Sequence, residues 1–386
     1  MITKLRVERF RALRDVTVRL GKFNVLIGPN DQGKTSFLEA VFAIAATARN
    51  SIAESFWSPW RGRNLAYHGD PQGIRLSASL ANADLSSPII DYSVAVRALG
   101  EGCTVAQETV DSQVLLEDNK ETIVRQFLRG ASVNPAFRSL VESVASRLHP
   151  PALTRWDVEE LGSPSLLRPD RKQAFDPTGY GLGTCLAEQK LARDEAFNNI
   201  VSQFCQLFPE FRGIGFHRVQ GRSWERGPDQ RRNVVPVAGD CFEMFFQRHD
   251  GIEVPANLVS GGVLVTLAFL TMAELNGDLL LIEEPENGLH PARLQGIVEM
   301  LRRVCDLRPD SQVLLTTHSP LLLDFVQPEQ VRLFSRNKAG DVEVHHLEDI
   351  PDIKDRLKYT MLGELVFSDW ENFIEEIRDH ANSGAR

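Results

Sequence analysis

The sequence is poor in cysteine and holds no long apolar run. Its five cysteines are scattered, without a C-x-x-C pair or a neighbouring histidine cluster. This pattern fits a reducing compartment and gives no cysteine-based metal site. The N-terminus lacks the apolar core of a signal peptide, and no stretch approaches the roughly 20 apolar residues that span a bilayer. We therefore expect a soluble, cytoplasmic protein.

Two further absences narrow the class of protein. The mostly helical stretch at residues 181–208 contains no run of about three to four heptads, which excludes a long coiled coil. The net charge of −9 argues against a general nucleic-acid coat, although a local basic face stays compatible with it.

The sequence is organised around residues 28–35, GPNDQGKT, which fit the phosphate-binding pattern G-x-x-x-x-G-K-[ST] at every required position. An apolar run at residues 23–27 predicts a buried strand before this loop, and apolar residues at helical spacing predict a helix after it. Such a loop points successive backbone N–H groups at phosphate oxygens, and the helix N-terminus adds partial positive charge. Lys34 is predicted to reach the β- and γ-phosphates, and Thr35 to place its hydroxyl on Mg²⁺.

A second group of motifs follows in the last third of the sequence. Residues 279–286, LLLIEEPE, predict a buried strand that ends in carboxylates, where an open α/β sheet places its ligand chemistry. Glu283 is predicted to hold Mg²⁺, and Glu284 to orient and activate the attacking water. Another buried strand, at residues 311–317, leads into His318. We predict a hydrogen bond from His318 to the γ-phosphate, and a purely structural histidine is the alternative.

Residues 259–262, VSGG, come before an apolar helix predicted over residues 263–275. Serine and glycine at a helix start are ordinary N-caps. The same geometry presents free N–H groups, a hydroxyl and the helix dipole to a γ-phosphate. Both interpretations are compatible with the sequence.

Two basic segments are candidates for ligand contacts. Arg9, Phe10 and Arg11 lie between strands predicted near the N-terminus, and could hold adenine and ribose by stacking and charge. A half-buried phenylalanine at a basic strand edge is the alternative. Four arginines surround Trp224 in a polar loop that could contact a phosphate backbone, or could be a solvated surface loop. They are Arg222, Arg226, Arg231 and Arg232.

The remaining pattern predicts the other elements. Strand-like runs between residues 73 and 116 predict an antiparallel sheet beside the nucleotide site, and residues 121–148 have helical spacing. Two separate strands are predicted at residues 233–237 and 241–246. The segment from residue 350 to about 380 is typical of an amphipathic helix.

Taken together, these motifs resemble the ABC-type ATPase heads. The closest resemblance is to the stand-alone bacterial AAA-type ATPases related to RecF, to SMC heads and to the ATPase half of OLD-family nucleases. The matching motifs extend from residue 2 to about residue 346. The resemblance implies an α/β fold: a P-loop NTPase head with a mixed or parallel sheet core, an antiparallel β subdomain and a helical insertion, without a long coiled coil.

The resemblance also implies that two protomers sandwich two ATP molecules with Mg²⁺. Each site would pair the phosphate loop of one chain with residues 260–262 of the other. The implied nucleotide contacts are Gly28, Asn30, Gly33, Lys34, Thr35, Ser36, Arg11, Ser260, Gly261 and Gly262. The implied metal ligands are Thr35 and Glu283, and the implied catalytic residues are Lys34, Glu284 and His318. A glutamine from a loop between the lobes is implied too, with Gln189 and Gln173 as candidates.

Four positions depart from the family pattern. Glu283 replaces a more common aspartate, although OLD-like members also have paired glutamates there. Asp31 replaces a common glycine of the loop, and aspartate tolerates left-handed geometry better than most residues. His290 stands where transporter ATPases have an aspartate, and residues 259–262 lack the glutamine that follows in transporters. A transporter subunit is therefore the weaker interpretation.

The sequence predicts four segments. They are an N-terminal lobe with the phosphate loop and antiparallel sheet at residues 1–120, a helical insertion at 121–210, a C-terminal lobe at 211–346 and a helical tail at 347–386. Some 68 residues follow His318, too few for the Toprim nuclease domain of OLD nucleases. We expect any nuclease to be a separate chain.

We expect an ATPase that dimerises on ATP and acts as sensor or regulator of a separately encoded effector, in anti-phage defence. The alternative is a RecF-like DNA-binding ATPase of repair or recombination. A non-hydrolysing scaffold is disfavoured by the joint presence of Lys34, Glu283, Glu284 and His318.

Overall fold

The computed structural model describes residues 1–56, 65–67, 73–82, 88–99, 102–149, 151–167, 176–192, 195–226, 234–275, 278–287, 289–368 and 370–383. It divides into two compact units. The first unit comprises Met1–Leu153, Asp278–Pro285 and Val298–Arg386, and the second comprises Thr154–Gly277 and Glu286–Ile297. The four predicted segments are continuous along the chain, whereas these units join distant stretches, and the four-part division stays a prediction.

The strands are numbered in chain order. They are β1 (Ile2–Phe10), β2 (Leu13–Arg19), β3 (Phe23–Ile27), β4 (Ile74–Leu80), β5 (Ile90–Leu99), β6 (Gly102–Val110), β7 (Gln113–Asn119), β8 (Pro151–Thr154), β9 (Ser165–Leu166), β10 (Phe211–Arg226), β11 (Val234–Arg248), β12 (Glu253–Pro255), β13 (Leu279–Glu283), β14 (Gln312–Thr317), β15 (Val331–Arg336) and β16 (Val342–His346).

The helices are numbered in the same way. They are α1 (Lys34–Ala46), α2 (Ile52–Ser55), α3 (Ile123–Leu128), α4 (Arg138–Arg147), α5 (Val158–Gly162), α6 (Leu182–Leu191), α7 (Glu195–Leu207), α8 (Gly261–Leu275), α9 (Pro291–Leu307), α10 (Pro320–Leu323), α11 (Ile353–Arg356), α12 (Leu362–Phe367) and α13 (Trp370–Ser383). Among the helices that the structure describes, none combines the length and the apolar character needed to cross a bilayer.

Two sheets lie in the first unit. One has the strand order β16-β15-β3-β14-β13-β8, and its strands β15, β3, β14 and β13 run parallel to one another. The other has the order β2-β1-β4-β5-β6-β7, and every neighbouring pair is antiparallel. The predicted antiparallel sheet is thus present, and the two N-terminal strands extend it.

Helix α1 belongs to the core of the first unit. Phe37, Leu38 and Val41 are fully buried, and they pack in one apolar cluster with residues of both sheets. A helix that is apolar on nearly all sides is stable only when it is covered on those sides. This burial fixes the helix whose first residues follow the phosphate loop.

The second unit is built from a small antiparallel sheet, the helices α5, α6, α7 and α8, and the start of α9. The long strands β10 and β11 pair over their whole length, and β12 and β9 pair with β11. Helix α8 is buried along its length from Val263 to Ala273. The ring of Phe204 packs on Phe208, Phe211 and Phe246, with centroids 5.0–5.9 Å apart.

Three sequence predictions about elements were wrong. The described residues of the two predicted strands, 234–237 and 241–246, belong to the single strand β11, because pairing with β10 continues across the intervening residues. The segment after residue 350 forms α11, α12 and α13 in place of one helix. Gln189 is buried within α6 and not in a loop, and Gln173 lies outside the described residues.

Candidate phosphate site

The phosphate loop connects the buried strand β3 to helix α1. Gly33 has a φ of 85° and Asp31 a φ of 60°, so the loop turns through left-handed backbone at both residues. Gly28 packs so closely against β15 that a Cβ there would lie 2.2 Å from the carbonyl oxygen of Phe334. A side chain at residue 28 would therefore displace the loop, and glycine is required for this approach.

The first turn of α1 has the features of an anion-binding helix N-terminus. Gly33 is its N-cap residue, no side chain caps the helix, and the first turn carries no acidic residue. The N–H groups of the first turn and the helix dipole favour a phosphate at this end. Lys34 is 6% exposed, and its ammonium donates to the carbonyl oxygens of Gly28 at 2.7 Å and Pro29 at 2.8 Å.

The parallel strands bring the predicted metal ligands to one edge of the sheet. Glu283, the last residue of β13, is paired in register with Thr316 of β14, which is in turn next to β3. The hydroxyl of Thr35 donates to Oε1 of Glu283. A hydroxyl and a carboxylate side by side are hard oxygen donors, the kind that Mg²⁺ prefers.

Donors for a complete protein-only metal site are absent from the described ranges, where no group of three or more His, Cys, Asp or Glu side chains could hold an ion. Mg²⁺ usually binds through one or two carboxylates together with substrate phosphates and water. Thr35 and Glu283 therefore fit an ion that arrives with a nucleotide.

Glu284 and His318 form the second pair at this edge. Nε2 of His318 lies 3.3 Å from Oε1 of Glu284, and both side chains are about one-third exposed. Glu284 has a φ of 47°, and its N–H donates to the carbonyl oxygen of Thr316 at 3.1 Å and to its Oγ1 at 3.2 Å. This backbone turns the Glu284 side chain away from the strand direction and places its carboxylate against the histidine.

In the basic segment before the loop, Phe10 is not placed for the predicted stacking on adenine. Phe10 is 2% exposed and packs edge-on against Phe56 in the core, so its ring offers no surface for stacking a base. Arg9 donates to the carbonyl oxygen of Gly73 at 2.8 Å. The guanidinium of Arg11 forms an ion pair with Glu39 of α1. Arg11 thus lies beside the helix of the phosphate loop.

Sequence reasoning missed Arg336, at the end of β15. Its guanidinium donates to the carbonyl oxygen of Asp31 through Nε at 3.1 Å and Nη2 at 2.7 Å, and to that of Gly340 at 2.6 Å. The carbonyl oxygen of Arg336 accepts from Arg378 of α13 at 2.7 Å. The left-handed residue of the loop is therefore held by a strand some 300 positions away.

The serine-glycine segment belongs to the second unit. Ser260 is exposed immediately before α8, and its carbonyl oxygen accepts the N–H of Val263 at 3.0 Å. Thr266 donates to the carbonyl oxygen of Gly262 at 2.7 Å. Ser260 and Gly262 line a cavity of about 490 Å³ in this unit.

Most of the arginine-rich segment around Trp224 lies outside the residues that the structure describes. Residues 227–233, which include Arg231 and Arg232, are among those the structure does not describe, as are the side chains of Arg222, Trp224 and Arg226.

Comparisons with known proteins give the family of the chain. Residues 124–324, more than half of the chain, match the family described as "AAA domain, putative AbiEii toxin, Type IV TA system". Residues 1–97 match the AAA ATPase domain. An OLD nuclease of Thermus scotoductus is 21% identical over 408 residues, covering 98% of this chain and 72% of that protein.

Solved structures of SMC heads share the fold. An SMC head bound to the C-terminal winged-helix domain of ScpA superposes with a TM-score of 0.56 at 13% identity, covering 89% of this chain and 96% of that one. An SMC head with an extended coiled coil, bound to the C-terminal domain of ScpA from Pyrococcus furiosus, gives 0.54 at 11% identity, covering 92% and 99%. The chain therefore has an SMC head-like α/β fold and belongs to the AAA domain family named above.

Proposed function

We propose that the protein binds ATP with Mg²⁺, dimerises around it and hydrolyses it to ADP and phosphate. The observation that carries this proposal is the arrangement at the edge of the parallel sheet. There the hydroxyl of Thr35 contacts Glu283, and Glu284 contacts His318, at a helix start whose N-cap is Gly33 and whose first turn carries no acidic residue. Such a set combines phosphate binding, metal binding and a base for water, the parts that phosphoryl transfer requires.

The binding step follows from the position of Lys34. Its ammonium is held by two carbonyl oxygens of the loop, so the charge is already at the site before nucleotide arrives. On binding, these neutral acceptors would be exchanged for the β- and γ-phosphate oxygens, which form stronger charge-assisted hydrogen bonds. Mg²⁺, held by Thr35 and Glu283, would neutralise charge on the phosphates.

Glu284 is the proposed general base. Its carboxylate would accept a proton from the water whose oxygen bonds to the γ-phosphorus, as the bond from that phosphorus to the bridging oxygen breaks. His318 would orient the carboxylate and donate to the γ-phosphate. The left-handed backbone of Glu284, secured twice by Thr316, keeps this carboxylate in position without the substrate.

The dimer supplies the remaining contacts in this proposal. Ser260, Gly261 and Gly262 of a second copy would bind the γ-phosphate through the hydroxyl and the first N–H groups of α8. Because only the triphosphate offers that contact, ATP would favour the closed dimer and hydrolysis would reopen it.

The test replaces Glu284 by glutamine. We expect E284Q to bind ATP normally, to lose about 10²- to 10⁴-fold in kcat, the range for a general base, and to accumulate as a dimer with ATP and Mg²⁺. Light scattering after size exclusion measures the mass, and E117Q, at an exposed carboxylate of β7, is the matched control. An ATP-bound E284Q that stays monomeric contradicts the composite site.

We further propose that the ATP-bound dimer regulates a separately encoded effector, such as a nuclease, in anti-phage defence. The supporting observations are a relative named as an OLD nuclease and a family description that includes a toxin system. The test is a pull-down with E284Q plus ATP as bait and K34A as control. A protein enriched only by E284Q is expected, and equal recovery by both baits opposes regulation by dimer closure.

DNA binding, as in RecF, is the second candidate. The long paired strands β10 and β11 carry at their far end the segment in which four arginines surround Trp224. Replacing the four arginines by alanine should weaken binding to a DNA duplex and reduce its dependence on salt. Unchanged affinity in this variant contradicts a DNA face at this segment.

A further inference from the structure

The cavity beside Ser260 has a lining suited to an anion. It is about 490 Å³ in volume, within the range of small-molecule sites. Its lining residues are Phe208, Ser260, Gly262, His290, Ala292 and Arg293, all in the second unit. The polar groups of this lining are a hydroxyl, an imidazole and a guanidinium, and these residues include no carboxylate.

Arg293 is held in a defined position within this lining. Its guanidinium carbon lies 4.5 Å from the ring centroid of Phe208, and Nη1 donates to the carbonyl oxygen of Leu207 at 3.0 Å. Phe208 is itself 3% exposed and packs against Phe204. Leu207 takes one of the five N–H donors of the planar fork. The guanidinium is therefore pre-ordered by a fixed ring, which lowers the entropy lost when it binds a ligand.

His290 adds a second donor. Its Nδ1 accepts the N–H of Ala292 at 3.2 Å at the start of α9, and its side chain is exposed. A ring that accepts at Nδ1 carries its proton on Nε2 in the neutral form. The cavity is thus lined by an N–H donor from His290 and by the guanidinium of Arg293, which lie close together in the sequence.

We propose that Arg293, assisted by His290, binds the terminal phosphate of the nucleoside triphosphate held by the phosphate loop of a second copy. This inference rests on the proposed dimer and extends its trans contacts beyond Ser260 to the first turn of α9. A planar fork matches phosphate oxygens in a bidentate manner, which a hydroxyl and helix N–H groups alone do not provide. Arg293 would thereby contact the nucleotide of the second copy only when the γ-phosphate is present.

The first experiment measures nucleotide binding, turnover and dimer formation in R293A, R293K and R303A. Arg303 is an exposed arginine of the same helix, so R303A is the matched control. We expect R293A to bind ATP as the wild type does, and to lose about 10²-fold in kcat, as when one transition-state donor is removed. In an E284Q background, R293A should weaken the ATP-bound dimer roughly 10- to 100-fold, with R293K intermediate.

The second experiment tests whether Arg293 acts across the dimer. K34A and R293A are each expected to be nearly inactive, because each alters both sites of its own dimer. In a mixture, the heterodimer joins the intact loop of the R293A chain to the intact Arg293 of the K34A chain. We expect the mixture to be more active than either variant alone, and to reach at most about a quarter of the wild-type rate, the value for random pairing with one complete site in half of the dimers.

Three outcomes would overturn the inference. One is an R293A variant as active as R303A, and another is a mixture that stays inactive although both chains are folded by circular dichroism. The third is that the cavity binds only a free anion. Calorimetry would then show that the wild type binds inorganic phosphate and that R293A does not, while R293A in the E284Q background leaves the ATP-bound dimer unchanged. A failure of E284Q itself to dimerise would instead reject the proposed function.

Discussion

Glu108 allows a quantitative test of how burial in the first unit changes the pKa of a carboxyl group and, with it, the stability of the protein. Its side chain on β6 is fully buried, and Oε1 accepts the hydroxyl of Tyr92 at 3.1 Å. The backbone N–H groups of Ile123 and Val124 donate to the same carboxyl, at 2.5 and 3.5 Å. Burial nevertheless dominates and raises the pKa of Glu108 from 4.5 to about 7.

The sign of the resulting pH dependence follows from this raised pKa. Between pH 4.5 and about 7 the folded protein retains a proton that the unfolded chain releases, so stability falls as the pH rises through this window. The free energy of unfolding that the neutral, buried carboxyl group maintains is fully present below pH 4.5, and it is lost above about pH 7. The interval between the two pKa values corresponds to about 3 kcal/mol.

Glu108→Gln removes the titration while keeping the shape of the side chain. The amide NH₂ introduced by E108Q cannot accept from the donors that the carboxyl accepts from, so E108Q carries a loss of unfolding free energy that does not depend on pH. We expect the unfolding free energy of E108Q relative to that of the wild type to rise by about 2–3 kcal/mol between pH 5 and pH 8. Hydrogen exchange of the most protected amides of β5 and β6 reports this unit separately from the other. E117Q, on the neighbouring strand β7 and exposed, is the control.

The result that would refute this reasoning is a constant difference between E108Q and the wild type from pH 5 to pH 8. Such a result would mean that Glu108 does not change its charge in this window. If the difference in unfolding free energy between E117Q and the wild type also grew with pH, the effect would come from the change in net charge and not from the burial of one carboxyl group.

The remaining predictions concern the support of the phosphate loop. Arg336→Ala should raise the KM for ATP about three- to tenfold, because the carbonyl oxygen of Asp31 loses two donors at an exposed position. Lys338→Ala, in the same hairpin and exposed, should leave KM unchanged in the same steady-state assay. Gly28→Ala should abolish ATP binding measured by calorimetry, because its Cβ would lie 2.2 Å from the carbonyl oxygen of Phe334. Retained affinity in G28A would show that the loop can shift without loss.

The elements of the site that are local in sequence could be predicted from the residues alone. The strand β3, the loop and the helix α1 follow one another directly, so a single spacing pattern specifies all three. The apolar runs of β13 and β14 each identify a buried strand. Parallel pairing of these strands then brings their carboxyl ends to one edge, as expected for an open α/β sheet.

Contacts between distant segments could not be predicted in this way. The hydrogen bonds from Arg336 to Asp31 depend on β15 pairing with β3, which joins residues some 300 positions apart. The ion pair of Arg11 with Glu39 depends on the packing of β1 and β2 against α1. The sequence signals in these cases are single arginines, and surface arginines of the same kind occur throughout the chain.

Glu284 shows where local sequence rules and the fold oppose each other. A residue before proline favours extended backbone, yet Glu284 precedes Pro285 and has a φ of 47°. Such a conformation costs on the order of 1–3 kcal/mol and persists only where its surroundings enforce it. Here Thr316 enforces it by accepting the Glu284 N–H at two oxygens. The strained residue is the one whose Oε1 lies 3.3 Å from Nε2 of His318. The strain therefore lies at the residue that we propose as the general base, and functional sites are where strained backbone tends to occur.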